Sequence, residues 1–180
     1  MRKTSKDALN VWAIKLKKGD PEAAGIIFDK FAQPFFRFFM QRLGVKNIAE
    51  DLTQEVFLKL MRRIETFDDK SGNFTPWFWQ VARNTLNDYF RSKKSIPLSE
   101  ISEEQSEEFV ADESLDKKEL ALEILDKVRE FSEEDQEMFL LRYIEDMSYD
   151  EIAKATGRTA GSLRVSVHRM IKKIREIYGD

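Results

Sequence analysis

Apolar residues in this chain recur three or four positions apart through most of its 180 residues, and nowhere do they alternate over the length of a strand. A period near 3.6 puts such residues on one face of an α-helix, whereas a half-buried strand needs a period of two. The pattern restricts the chain to helices packed on helices. One long interruption stands out. Between Ser95 and Leu115 the sequence is acidic and serine-rich, with no helical period. A segment of that composition buries too little apolar surface to offset the entropy of ordering it. The expectation is an all-α protein of two small helical domains, residues 1–94 and 117–180. An acidic flexible linker, residues 95–116, joins them, and the C-terminal domain is a helix-turn-helix.

Stop and start signals divide the helices further. A first helix is expected from about Asp7 to Lys18, with Ala8, Val11, Trp12 and Leu16 apolar and Gly19 as its stop. Asp20 reads as an N-cap, with Pro21 at the first helical position. The second helix carries Ala24, Ile27, Phe28, Phe31, Phe35, Phe38 and Phe39, a stripe that reads as core. Pro34 is expected to kink or split it, because proline lacks the N–H an interior position needs. Gly44 ends it, and a third helix runs from about Ile48 to Ile64. After a polar turn from Asp68 to Asn73, Thr75 and Pro76 are expected to open a fourth helix as cap and first position, reaching about Ser92. In the last third, Leu120, Leu122, Leu125 and Val128 mark one helix, and Ser132 caps the next, which contains Met138 to Leu141. Ser148 and Glu151 form a capping box over Tyr149 to Ala155. Gly157 closes that helix, and a final one runs from about Ala160 to Tyr178.

The formal net charge of −3 conceals three blocks. Lys and Arg outnumber Asp and Glu by 18 to 11 in residues 1–98, fall to 4 against 16 in residues 99–137, and recover to 8 against 6 in residues 138–180. Basic ends around an acidic middle suggest a polyanion as partner. The absence of cysteine excludes disulfides, thiolate metal sites and cysteine nucleophiles. No apolar run approaches the roughly 20 residues of a membrane span. The basic, polar start, Met1 to Lys6, has no apolar stretch behind it, so no signal peptide is expected.

Three constellations carry chemistry. The C-terminal one is a short capped helix, a turn through Thr156, Gly157, Arg158 and Thr159, and a longer basic helix, the helix-turn-helix arrangement. Residues 158–175 hold six Lys/Arg and no acid. Arg164, His168, Arg169, Lys172 and Lys173 lie outward in this reading, where early residues of such a helix reach base edges and later ones reach phosphates. The third helix sets Asp51, Gln54, Glu55, Leu58 and Arg62 opposite its apolar stripe. A leucine exposed among acids and an amide fits a protein contact better than a solvated face. The fourth helix combines Phe74, Trp77, Phe78 and Trp79 with Arg83, Asn84, Asn87, Asp88, Arg91, Lys93 and Lys94. Aromatics beside cations can stack unpaired bases and hold phosphates, although some of these rings must also serve the core. Enzymatic motifs fail. No phosphate-binding glycine loop is present, Asp68–Gly72 has Lys70 where a calcium loop needs an oxygen ligand, and the single histidine, His168, lies on the basic helix. Neither catalysis nor a cofactor nor a metal is expected.

These pieces, in this order, resemble the extracytoplasmic-function branch of the sigma-70 family of RNA polymerase sigma subunits. The residues that carry the resemblance are Gly19-Asp20-Pro21-Glu22-Ala23, then Ala49-Glu50-Asp51-Leu52-Thr53-Gln54-Glu55-Val56-Phe57. Trp77 with Ala82-Arg83-Asn84, Asp88 and Arg91 follows. The last is the run from Leu141-Arg142-Tyr143 through Glu145 and Ser148 to Glu151-Ile152-Ala153. The resemblance implies that Asp51, Gln54, Glu55 and Leu58 bind core RNA polymerase. It implies that Trp77, Trp79, Arg83, Asn84, Asn87, Asp88, Arg91, Lys93 and Lys94 recognise and help melt the minus-ten element of promoter DNA. Arg158, Thr159, Ser162, Arg164, Val165, His168, Arg169 and Lys172 would read the minus-thirty-five element. It further implies a cytoplasmic protein, monomeric when free, held in check by an anti-sigma factor. Val165 and Ser166 depart from the Ser then Arg that family members often carry after the position of Arg164, and His168 and Met170 also replace commoner residues. These departures bear on the promoter sequence read and leave the fold unchanged. The residues taken alone also admit a helix-turn-helix regulator that acts without polymerase, or a pure interaction protein that ignores DNA.

Overall fold

The computed structural model describes residues 6–69, 72–93, 128 and 130–178, and every regular element among them is helical. The chain divides into two units, the first formed by Met1–Ser106 with Lys154–Thr156 and the second by Glu107–Ala153 with Gly157–Asp180. The expected linker, residues 95–116, and the helix expected around Leu120, Leu122 and Leu125 lie outside the described residues.

The first unit contains α1 (Lys6–Lys17), α2 (Pro21–Leu43), α3 (Lys46–Arg63), a 3₁₀ turn (Ile64–Thr66) and α4 (Phe74–Lys93). Its centre is aromatic. Phe31, Phe35, Phe38, Phe39, Phe67, Phe74, Phe78 and Trp79 are all essentially inaccessible to water. Phe35 meets Phe78 and Trp79 edge-on, both at 4.8 Å between ring centres, a geometry that suits the ring quadrupoles. Asp20 caps α2 by accepting from the Glu22 amide at 3.0 Å, and Gly44 ends it in the left-handed conformation at φ 68°.

Two expectations about the first unit need correction. Helix α2 is not split at Pro34; it runs unbroken from Pro21 to Leu43 with Pro34 buried. An interior proline costs roughly 3 kcal/mol. Burying each large apolar side chain returns about 1.5–3 kcal/mol, and Phe31, Phe35, Phe38 and Phe39 flank the site on both sides. Helix α4 opens at Phe74, one residue before the expected cap. The Asn73 side chain accepts from the Thr75 amide at 3.3 Å and the Asn10 side chain, from α1, accepts from the Phe74 amide at 2.8 Å. Pro76 then falls third in the helix, where its missing N–H would have had no intrahelical partner in any case. Lys17 supports the same loop by donating to the Phe67 carbonyl at 2.9 Å. Gly72 is required there, because a Cβ would strike the Asp68 carbonyl oxygen and lie 2.8 Å from the Phe67 ring.

The second unit contains α5 (Glu133–Phe139), a π turn (Leu140–Ile144), α6 (Tyr149–Thr156) and α7 (Ala160–Tyr178). Ser132 caps α5, as expected, accepting from the Asp135 amide at 3.3 Å. The expected single helix through Leu141 instead ends at Phe139 and widens. The Glu145 amide reaches back five residues to the Leu140 carbonyl at 3.0 Å, and Asp146 turns the chain at φ 53°. The capping box of α6 forms in full, with Ser148 accepting from the Glu151 amide at 3.3 Å and the Glu151 carboxylate accepting from the Ser148 amide at 2.8 Å. Gly157 ends α6 in the left-handed conformation at φ 74°. Met138, Leu141, Met147, Ile152, Leu163, Val167 and Met170 form the buried core.

Candidate nucleic-acid and polymerase interfaces

Helix α3 buries Leu52, Thr53, Val56 and Leu60 and turns Asp51, Gln54, Glu55 and Leu58 outward. Leu58 is 56% exposed. Met61, which sequence reasoning passed over, is 55% exposed one turn further on. Apolar side chains three apart on a helix meet on its surface, so the two make one apolar spot beside the acids. Glu55 is also tied into the unit. Lys59 pairs with it at 3.0 Å and with Asp88 of α4 at 3.3 Å, and Asp88 in turn pairs with Arg91 at 3.5 Å. These are solvent-facing pairs, each of small energetic weight, but the chain of them fixes the side chains of α3 and α4 relative to one another.

Helix α4 divides its aromatics. Phe74, Phe78 and Trp79 are buried, while Trp77 keeps part of its ring accessible. Trp79 is therefore removed from the candidate DNA-contact set: it is fully buried, with its ring against Phe35 and Phe38, and offers no face to a base. Trp77, Asn84, Asn87 and Arg91 share one face at helical spacing, with Asp88 at its edge and Arg83 half-buried beside it. Gln80, exposed on this face between Trp77 and Asn84, was not singled out from the sequence, although its i+3 spacing from Trp77 was the signal that could have found it. Lys93 ends the helix and Lys94 lies outside the described residues. An indole face flanked by three amides and a guanidinium can stack one unpaired base and hydrogen-bond the edges of its neighbours.

Helix α7 packs against α5, buries Leu163, Val167 and Met170, and faces water with Gly161, Arg164, Val165, His168 and Lys172. Thr159 caps it, accepting from the Ser162 amide at 3.2 Å, so Thr159 and Ser162 both serve the helix start. Arg158 turns inward. It donates to the buried Ser166 hydroxyl at 2.9 Å and lies 3.9 Å from Asp135 of α5, which makes it a brace for the turn. Arg169 reaches the same hydroxyl at 3.3 Å but remains exposed. Arg164 and Arg169 therefore stand on opposite flanks of the outward face. Val165, 58% exposed between them, offers the kind of apolar contact that a thymine methyl group accepts in the major groove. In the π turn, burial pushes the Tyr143 phenol above its ordinary value; proximity to Tyr149 adds to the rise and Arg142 opposes it.

Two family models match the chain, one to each unit: sigma-70 region 2 over residues 27–96 and sigma-70 region 4 over residues 121–174. Together they cover more than half of its length, in the order in which the units occur. The chain belongs to the sigma-70 family. Among its relatives is the extracytoplasmic-function sigma factor BldN of Streptomyces coelicolor, 28% identical over 92% of this chain. SigX of Bacillus subtilis, also an extracytoplasmic-function sigma factor, is 25% identical over 86%. This sigma factor spans 64% of the length of BldN and 83% of that of SigX. Its fold matches that of the sigma factor RpoE of Bartonella quintana, solved in complex with the anti-sigma factor NepR, at a TM-score of 0.65 and 19% identity, over 82% of this chain and 91% of the other.

Among the described residues of this sigma factor, no helix is long and apolar enough to cross a membrane.

Proposed function

We propose that this sigma factor, of the extracytoplasmic-function type, binds core RNA polymerase in the cytoplasm and directs initiation at promoters it selects itself. In this reading the outward face of α3, centred on Leu58, docks on polymerase. The Trp77–Arg91 face of α4 acts on the minus-ten element as it opens, and α7 reads the minus-thirty-five element in the major groove. The observation that carries the reading is the pairing of both family models with two helical units, in order, each presenting a face of the chemistry required. An anti-sigma factor, the kind of protein with which the Bartonella quintana relative was crystallised, is the expected antagonist.

Reconstitution tests this. Purified chain is added to core polymerase with a library of promoter fragments, and the 5′ ends of the transcripts are sequenced. Starts that depend on the chain and share upstream sequence at two positions support the reading. Promoter binding without any effect on polymerase would instead identify a free-standing helix-turn-helix regulator.

A further inference from the structure

Arg164 is an exposed guanidinium on the reading face with few attachments. Among the described residues Arg164 makes no ion pair and no hydrogen bond; what it has is the ring of Tyr149, whose centre lies 5.4 Å from the guanidinium carbon. The same ring also lies under Arg142, at 5.3 Å. Arg142 is itself fixed, donating to the Met147 carbonyl at 3.1 Å and pairing with Asp146 at 3.9 Å. Tyr149 is fixed from its backbone, because it is the first residue of α6, immediately after the capping-box serine. Two arginines, one from the π turn and one from α7, thus meet on one aromatic ring anchored at the start of α6.

We propose that Tyr149 is the positioning residue for Arg164, and that the ring preorganises the guanidinium for reading a base. The reason lies in which part of the guanidinium is used. An arginine held by a carboxylate spends its in-plane N–H donors on that partner. An arginine stacked on a ring engages only its π face and keeps the planar fork of donors free. That fork is what pairs with the two acceptors on the major-groove edge of guanine. A free arginine side chain would also lose rotamer freedom on reaching a base. A side chain already resting on a ring has surrendered part of that freedom in the unbound protein, so less is lost on binding. Tyr149 is partly exposed and carries no charge of its own, so it adds direction without competing for the DNA.

The inference rests on the reading of α7 as a promoter reader, and the experiment separates the two. Holoenzyme is reconstituted with wild type, Tyr149→Phe, Tyr149→Leu, Arg164→Ala and the Tyr149→Leu/Arg164→Ala double variant. Each is run on a library randomised through the upstream element. Arg164→Ala should abolish preference at one base pair. Tyr149→Leu should weaken preference at that same base pair by about 2- to 5-fold, the size of an exposed cation–π contact. Tyr149→Phe, which retains the ring face, should select as wild type does, and Tyr149→Leu should add nothing in the Arg164→Ala background. Wild-type selection by Tyr149→Leu overturns the proposal, as does a further loss in the double variant beyond that of Arg164→Ala or a loss with Tyr149→Phe. Wild-type selection by Arg164→Ala overturns the reading of Arg164 itself. Should Tyr149→Leu fail to fold, Tyr149→Gln, judged by the same criteria, takes its place.

Discussion

Leu58 and Met61 stand one turn apart on α3, and each leaves more than half of its surface to water. Alanine scans of protein interfaces find the binding energy concentrated in a few such anchors, often worth about 2 kcal/mol or more apiece. Leu58→Glu should therefore weaken core-polymerase binding by roughly 30-fold or more, the equivalent of that energy. Its melting temperature should stay near that of wild type, since an exposed side chain contributes little to the core. Titration against labelled core polymerase measures the first and a thermal melt the second; normal binding by a folded variant removes α3 as the handle. Asn84 invites a narrower change. It is exposed on the same face as Trp77, and its amide can donate to and accept from a flipped or unpaired base. Asn84→Ala should relax preference at one melted position and leave polymerase binding intact, as read by permanganate footprinting of the open complex. An unaltered footprint and base preference would dismiss it. Leu58 was legible in the sequence because it breaks the polar pattern of its helix face, and Asn84 because it stands beside Ala82 and Arg83 in the motif that carries the family resemblance. Trp77 and Trp79 were not separable in that way. They sit two apart in a run of three aromatic residues with Phe78 between them, and only the packing against Phe35 and Phe38 decides which ring goes inside.

At the scale of elements, the boundaries set by local chemistry were the readable ones. Asp20 and Pro21, Ser132, the Ser148–Glu151 box and Gly157 all act where they stand in the sequence, because a cap satisfies backbone groups within three or four residues of itself. The boundaries that depend on distant partners were not readable. Helix α4 starts early because Asn10, 64 residues away, takes the Phe74 amide. Helix α2 tolerates Pro34 because its phenylalanines are buried on both sides. The π turn after Phe139 has no sequence signature of its own; it spaces Arg142 and Tyr143 differently from a continuing α-helix, and such widened turns recur at functional sites. The capping box supplies a test at this scale. Ser148→Ala removes one amide's partner and strands the Glu151 carboxylate from the serine hydroxyl, so it should cost about 1 kcal/mol. For a unit of this size that corresponds to a fall of roughly 4–8 °C in the melting temperature of the C-terminal unit. Because α6 carries Tyr149, promoter selection at the base read by Arg164 should weaken in parallel. A melt indistinguishable from wild type would show that the box is dispensable.

Over the whole molecule, the arrangement of charge matters more than its sum. The two surfaces proposed to face DNA lie in blocks that carry excess positive charge, and residues 99–137, between them in sequence, carry 16 acids against 4 bases. A protein that neutralises phosphates releases the counterions condensed on DNA, so its affinity falls steeply as salt rises. Carboxylates attached to the same chain would act on that balance in the free protein by offering the basic surfaces an alternative partner and repelling the approaching phosphates. Replacing Glu103, Glu104, Glu107 and Glu108 with glutamine keeps side-chain size and changes the formal net charge from −3 to +1. Free in solution, the variant should bind promoter duplex more tightly than wild type at low ionic strength. The advantage should shrink toward zero as salt approaches the range where the screening length falls below about 8 Å. Measuring both proteins across a salt series by fluorescence anisotropy gives the answer. An advantage that persists at high salt would point to a change in structure and not to electrostatics, and equal affinity throughout would show that the acidic block plays no part in DNA binding.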